Sequence, residues 1–152
     1  MRKTTLSSNK LFFVCPFCQM EHFIRKKYGN VFFVTAPAGI FSFNEEDFAR
    51  EIKFFLLRQN ITELYLVCDL ECNFLNGALS GGTSFGLSCE QVIKSLVSSA
   101  DNSFSLAEKI IEYQVNRIKN VSGVTDVISS KKIKIYGMVT SKKKNSFIPA
   151  TE

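Results

Sequence analysis

The sequence predicts an α/β domain in three layers, with a mostly parallel central sheet of about four strands flanked by helices. Two observations lead to this prediction. Four short segments are rich in apolar residues, as is typical of strands that are buried on both faces. Segments with the apolar spacing of helices lie between these strands, and a helix that connects two strands of one sheet makes those strands parallel.

The four predicted strands are continuous apolar runs or alternating patterns. Residues 11–14 and 31–34 are two short apolar runs, which predict two buried strands. Residues 61–67 predict the third strand. Residues 132–139 predict the last one, because isoleucines alternate there with lysines before an apolar end.

Helices are predicted over four segments. The clearest follows Asn44, a candidate N-cap, because the next three residues are acidic and lie where the helix dipole favours negative charge. Apolar residues at i, i+4, i+7 and i+8 then form one face, and Asn60 is the expected end. The other helices are predicted over residues 18–28, 89–99 and 105–120.

A Gly-, Ser- and Asn-rich stretch at residues 69–88 predicts a long loop after the third strand. Ligands of parallel sheets bind beyond the carboxyl ends of the strands, where the strand order reverses. Cys15 follows the first strand, and Asp69 and Cys72 follow the third. If strands one and three are neighbours, these three side chains converge.

Length and composition indicate a single domain over residues 1–152, with an N-terminal arm at 1–10 and a basic tail at 141–152. The chain is 45% hydrophobic and contains 15 Phe, which is enough apolar material for one core. The net charge of +5 comes from short basic runs. The run Lys142–Lys144 contains no aromatic residue, which favours a solvated surface over nucleic-acid binding.

The apolar runs are too short for a membrane span of about 18 residues or for a signal-peptide core. We therefore expect no membrane partner and a cytoplasmic location. Five cysteines are an odd number, which argues against a disulfide framework and for reduced thiols. The spacings Cys15-x-x-Cys18 and Cys68-x-x-x-Cys72 indicate a metal or redox site.

Three short motifs resemble the β-class carbonic anhydrases. After their first, second and third strands, family members read Cys-x-Asp-Ser-Arg, Arg-Asn-Ala-Gly and His-x-x-Cys-Gly. Here residues 15–19 read Cys-Pro-Phe-Cys-Gln, residues 36–39 read Ala-Pro-Ala-Gly, and residues 69–73 read Asp-Leu-Glu-Cys-Asn. The separations between the motifs fit the family, and the resemblance covers residues 11–140.

The resemblance implies a β-carbonic-anhydrase-like fold and an altered zinc site. Matched position by position, the two metal-ligating thiols of the family correspond to Cys15 and Cys72, and its metal-ligating His corresponds to Asp69. The Asp–Arg dyad that orients the zinc-bound water corresponds to Phe17 and Gln19. We therefore expect zinc as the cofactor, with Cys15, Asp69 and Cys72 as ligands, and Cys18 or Cys68 as a candidate fourth ligand.

Carbon dioxide hydration needs a hydroxide at neutral pH, which zinc supplies by lowering the pKa of bound water to about 7. Two thiolates and a carboxylate around Zn²⁺ leave a net charge of −1, which opposes that ionisation. Phe17 offers no hydrogen-bond acceptor to the water, and Gln19 offers no cation. We therefore expect little or no hydratase activity, and the resemblance also implies a homodimer.

Two other functions remain open. The sequence Cys-Pro-Phe-Cys at residues 15–18, after a strand and at the start of a helix, is also the form of a thioredoxin-like redox motif, which predicts a thiol-disulfide oxidoreductase. The alternative is a non-enzymatic dimeric binding module built on the same scaffold. No small-molecule substrate is indicated by the sequence.

Overall fold

The computed structural model describes residues 9–42, 45–81 and 85–150. The predicted N-cap Asn44 and residues 1–8 of the predicted arm lie outside these ranges. The strands are β1 (Lys10–Val14), β2 (Phe32–Thr35), β3 (Glu63–Asp69), β4 (Lys134–Ser141) and β5 (Ser146–Pro149). The helices are α1 (Glu21–Tyr28), α2 (Glu46–Arg58), α3 (Asn73–Ser80), α4 (Ser88–Leu96), α5 (Ser103–Lys119) and α6 (Ser122–Ser130).

The five strands form one mixed sheet in the order β2-β1-β3-β4-β5, and the helices flank it, which confirms the predicted fold class. The first four strands are parallel, and β5 is antiparallel to β4. The chain leaves β1 for β2 on one side and returns to β3 on the other. The strand order therefore reverses between β1 and β3, and their carboxyl ends lie side by side as expected.

The inner strands β1 and β3 are buried on both faces, as their apolar residues require, whereas β2, predicted as a buried strand, lies at the edge of the sheet and is only half-buried. Leu11 and Phe13 belong to a core shared with the helices α2 to α6, whereas Phe12 and Val14 point to the opposite face, which α1 covers. On the α1 face, aromatic rings at paired positions cross four strands. The rings of this row are Phe33, Phe12, Tyr65 and Tyr136.

The longest helix, α5, lies on β3 and β4 and carries seven buried residues. Its N-cap is Asn102, whose side chain accepts a hydrogen bond from the backbone N–H of Ser105 at 2.8 Å. Lys109 binds Asp101 just before the helix at 2.7 Å. Within the described ranges, none of the helices has both the length and the apolar character needed to cross a membrane.

Three elements differ from the sequence prediction. The predicted loop at residues 69–88 contains α3, in which buried Phe74 and Leu75 pack into the core despite the weak helix propensity of the surrounding Asn and Gly. Residues 122–130 form α6, for which no helix is predicted. Residues 141–152, predicted as a basic tail, contain β5, which pairs with β4 after a tight turn.

The helix predicted over residues 18–28 is interrupted at its start. A 3-10 turn covers Pro16–Cys18, and α1 begins only at Glu21. Between them, Gln19 has a φ of 50°, which a right-handed helix cannot include. The residues nearest to Cys15 therefore follow a tight turn, which keeps them close to the end of β1.

Replacing Leu106 by Ala should lower the free energy of unfolding by about 2–5 kcal/mol, because this α5 side chain is fully buried and its loss leaves a cavity. Leu57→Ala, in α2, is the matched control, since Leu57 is 37% exposed and should cost about 1 kcal/mol or less. Urea denaturation of both variants measures the difference. Equal losses would contradict the placement of α5 in the core.

Candidate metal centre

Three cysteine sulfurs meet at the carboxyl ends of β1 and β3. Cys15 directly follows β1, Cys18 lies in the 3-10 turn after it, and Cys72 precedes the first turn of α3. All three sulfur atoms lie within 4.8 Å of one another. Cys15 and Cys72 are buried, whereas Cys18 is half-buried. We refer to these residues as the three-thiol cluster.

The spacing of the sulfurs fits a metal ion. Thiolates that bind zinc at about 2.3 Å in a tetrahedral arrangement lie roughly 3.8 Å apart. Because no pair in the cluster exceeds 4.8 Å, each pair needs to approach by about 1 Å or less to reach that arrangement. The convergence of Cys15 and Cys72, expected from the strand order, is present, and Cys18 supplies a third sulfur.

The turn after β2 supports the cluster from one side. The backbone N–H of Ala38 donates a hydrogen bond to the sulfur of Cys15 at 3.0 Å. Gly39 has a φ of +69°, and a Cβ at this position would lie 3.2 Å from the carbonyl oxygen of Val67, so only glycine fits without strain. Buried Gln114 of α5 donates to the Gly39 carbonyl at 2.9 Å and so connects the turn to the core.

The three thiols of the cluster differ in pKa. Hydrogen bonds from Cys18 and Cys72 hold the pKa of the Cys15 thiol far below its usual value, because they stabilise its thiolate. The hydrogen bond to Cys15 raises the pKa of Cys72 to about 11, and the same interaction raises the pKa of Cys18. The thiolate form of Cys15 is thus favoured, whereas deprotonation of Cys72 and Cys18 is disfavoured. A bound cation would lower the free-energy cost of that deprotonation.

Asp69, at the end of β3, lines the same small cavity as the cluster but is not one of the three mutually close ligands. One carboxylate oxygen accepts a hydrogen bond from Thr140 Oγ1 at 2.8 Å, and the other accepts from the backbone N–H of Glu71 at 3.2 Å. Burial raises the pKa of Asp69, and the Thr140 hydrogen bond opposes that increase. Its role as a metal ligand stays a prediction.

The cavity at the cluster has a volume of only about 10 Å³. This is close to the minimum that holds one water molecule. A much larger cavity, of about 880 Å³, lies between α2, α5 and the start of α6, and no cysteine lines it. The cluster therefore has room for an ion or one water molecule.

The two positions that correspond to the family dyad carry neither a carboxylate nor a guanidinium group. The ring of Phe17 is 63% exposed and contacts the ring of Phe74, with centroids 5.6 Å apart. Gln19 is exposed and ends the 3-10 turn. At this rim the site presents one exposed aromatic ring and one neutral amide.

Lys142, assigned from the sequence to a solvated basic run, contacts the cluster turn. Its Nζ donates to the carbonyl oxygen of Cys18 at 2.8 Å and lies 3.4 Å from that of Gln19. Its backbone N–H donates to Glu71 at 2.9 Å, and Ser141 Oγ donates to the same carboxylate at 2.7 Å. The sequence does not predict this contact, because it does not predict β5. The turn between β4 and β5 places the basic run beside the cluster.

The other cysteines and the histidine of the chain do not belong to the three-thiol cluster. Cys68 and Cys89 are both buried, and burial raises the pKa of each thiol. His22, the single histidine of the chain, is exposed on α1. Cys68 borders the small cavity, but it is not one of the three mutually close ligands.

No family model matches this chain, and no curated protein matches it by sequence. Solved structures do match. A β-carbonic anhydrase from Sordaria macrospora, described as tetrameric, has a TM-score of 0.76 and 15% identity, over 95% of this chain and 81% of its own. CafA of Aspergillus fumigatus has a TM-score of 0.78 and 14% identity, over 96% and 77% of the two chains.

CafD of Aspergillus fumigatus, another β-carbonic anhydrase, has a TM-score of 0.73 and 14% identity, and the match covers 97% of this chain and 91% of that protein. Each of these matches spans nearly the whole described chain at low sequence identity. The architecture is therefore shared, although most side chains have changed. The chain has the fold of the β-carbonic anhydrases.

Proposed function

We propose that this protein is a carbonic-anhydrase-like zinc-binding protein that has little or no carbon dioxide hydratase activity. The observation that carries the proposal is the three-thiol cluster, whose sulfurs lie within 4.8 Å of one another at the strand ends. Thiolates at such spacing are the ligands that zinc prefers in proteins. The β-carbonic anhydrase fold supports the same site.

The proposed ligands are the sulfurs of Cys15, Cys18 and Cys72. Asp69 borders the same cavity, and we propose its carboxylate as the fourth ligand, held by Thr140 as an outer-shell partner. Zinc bound there would crosslink the ends of β1 and β3. A site with four protein ligands is closed, and closed zinc sites are structural.

Three features oppose hydration chemistry. The three sulfurs alone give a divalent ion a net charge of −1, which disfavours a negatively charged nucleophile at the site. Phe17 and Gln19 cannot orient a water molecule or fix a cation as a carboxylate and a guanidinium do. The small cavity leaves almost no room for a substrate.

We also propose that the chain forms a homodimer in the cytoplasm. The solved relatives include tetrameric enzymes, and this chain exposes two large rings on one side of the site. Phe17 and Phe85 are 63% and 67% exposed, and both contact Phe74. Apolar rings of this kind are enriched at the centres of protein interfaces.

Replacing Cys72 by Ser should reduce the zinc content of the purified protein from about one ion per chain to nearly none, because it removes one of three thiolates. Cys89→Ser is the matched control, since Cys89 is buried outside the cluster, and it should retain zinc. Elemental analysis after dialysis measures both. A metal-free wild-type protein would refute the zinc proposal.

The substitution Asp69→Asn tests the fourth ligand. It keeps the size of the side chain, and the new amide is able to accept from the Glu71 N–H and donate to Thr140 Oγ1, but it removes the charge, so we expect zinc affinity to fall by about 10–100-fold while the protein stays folded. Competition with a chromogenic chelator measures the affinity. An unchanged affinity would show that the carboxylate does not act on the metal.

In a stopped-flow assay, the zinc-loaded protein should not accelerate carbon dioxide hydration measurably above the buffer rate. The physical reason is the loss of the orienting dyad at Phe17 and Gln19 together with the excess negative charge at the sulfurs. An active β-carbonic anhydrase in the same buffer is the positive control. A rate comparable to that control would overturn this part of the proposal.

A further inference from the structure

We propose that Cys15 and Cys18 form a redox-active dithiol, which a hydroperoxide oxidises to a disulfide, and that this disulfide and zinc exclude each other at the three-thiol cluster. The dithiol is independent of the metal. Only the exclusion of zinc rests on the function proposed above. The positions, exposure and chemistry of the two sulfurs support the proposal.

The turn that joins the two cysteines brings their sulfurs close together. The backbone N–H of Cys18 donates to the carbonyl of Cys15 at 3.2 Å, which closes the 3-10 turn over Pro16–Cys18. The sulfurs lie within 4.8 Å, and a disulfide bond is about 2.05 Å long. The sulfurs must therefore approach each other by roughly 2.8 Å or less. Both sulfurs belong to one short turn at the end of β1.

Cys18 is the accessible member of the pair. It is half-buried, whereas Cys15 is 5% exposed and Cys72 is 4% exposed. The two residues that precede Cys18 are exposed, so its turn faces the solvent. A molecule as small as a hydroperoxide reaches Cys18 first. Cys15, which is buried and adjacent, is then placed to act as the resolving thiol.

The two cysteines supply the reducing electrons, and the hydroperoxide is the oxidant that must reach them from outside the protein. The Cys18 sulfur attacks one oxygen of the hydroperoxide as its proton passes to the neighbouring Cys15 sulfur, and the O–O bond breaks. Cys18 becomes a sulfenic acid, while the other oxygen leaves as hydroxide or alkoxide and takes up that proton, which restores the Cys15 thiolate. The Cys15 thiolate attacks the sulfenic sulfur and expels hydroxide, which takes up a proton to form water. Two sulfurs lose two electrons in total, and the peroxide gains them.

Disulfide formation removes two of the three proposed thiolate ligands. The remaining sulfur of Cys72, alone or with Asp69, is too small a ligand set to retain a structural zinc ion. A dithiol reductant would regenerate both thiolates and restore the site. The sulfurs of Cys15 and Cys18 therefore have two alternative partners, a cation in the reduced protein and each other in the oxidised protein.

The cluster has other cysteines nearby, which define the controls. Cys68 is buried outside the group of mutually close sulfurs, and Cys89 lies on α4. The double variant Cys68→Ala/Cys89→Ala therefore retains only the three cluster thiols. In this background, Cys18→Ser removes the accessible sulfur, and Cys72→Ser removes the third ligand but leaves the pair intact.

The experiment treats the reduced double variant with one equivalent of hydrogen peroxide. Peptide mass spectrometry follows the disulfide, and a chromogenic chelator follows zinc release. We expect loss of two hydrogen atoms within the peptide that contains residues 15–18, one zinc ion released per disulfide, and recovery of both signals after dithiothreitol and added zinc. Cys18→Ser should form no disulfide within residues 15–18.

Failure of this inference is distinguishable from failure of the zinc proposal. If the chain binds no zinc but still forms the Cys15–Cys18 disulfide, the dithiol stands and the zinc site does not. Formation of that disulfide in Cys72→Ser would likewise support the dithiol without the metal. A disulfide to Cys72 in place of Cys18 would overturn the pairing. Oxidation to sulfinic acid without any disulfide would overturn the dithiol.

Discussion

The parallel pairing of β1 with β3 is the interaction on which the site depends. It places the ends of two strands, separated by about fifty residues of sequence, next to each other at the reversal of strand order. Cys15 directly follows β1 and Cys72 lies three residues beyond the end of β3, so the pairing of the two strands brings their sulfurs to the same edge of the sheet. The turns that follow the strands complete the cluster, because one of them carries Cys18.

The sequence predicts the sheet well because strands buried on both faces leave an unambiguous apolar pattern. Four strands follow from that pattern, whereas the adjacency of β1 and β3 is a condition that the sequence leaves open and the strand order meets. By contrast, α3 and β5 depend on tertiary contacts: Phe74 and Leu75 stabilise a helix whose neighbours favour a loop, and β5 forms only because β4 offers a partner. Local composition cannot report either contact.

In the site, too, some features are predictable from the sequence and others depend on tertiary contacts. The convergence of Cys15 and Cys72 is predictable once β1 and β3 are neighbours in the strand order. The participation of Cys18 depends on the left-handed backbone at Gln19, which ends the turn and separates it from α1. The hydrogen bonds of Asp69 depend on its strand partner Thr140, which the sequence alone does not identify. Motif spacing thus locates the centre but does not fix the side chains that complete it.

The contact between Lys142 and the Cys18 carbonyl has a mechanical consequence. The ammonium group connects the turn that carries two sulfurs to the hairpin formed by β4 and β5 at the outer edge of the sheet. Glu71 strengthens this connection, because it holds the hairpin to the end of β3. A rearrangement of the sulfurs that shifts the turn would pull on an edge strand. If the proposed disulfide forms, this contact would pass the shift of the turn on to the β4–β5 hairpin.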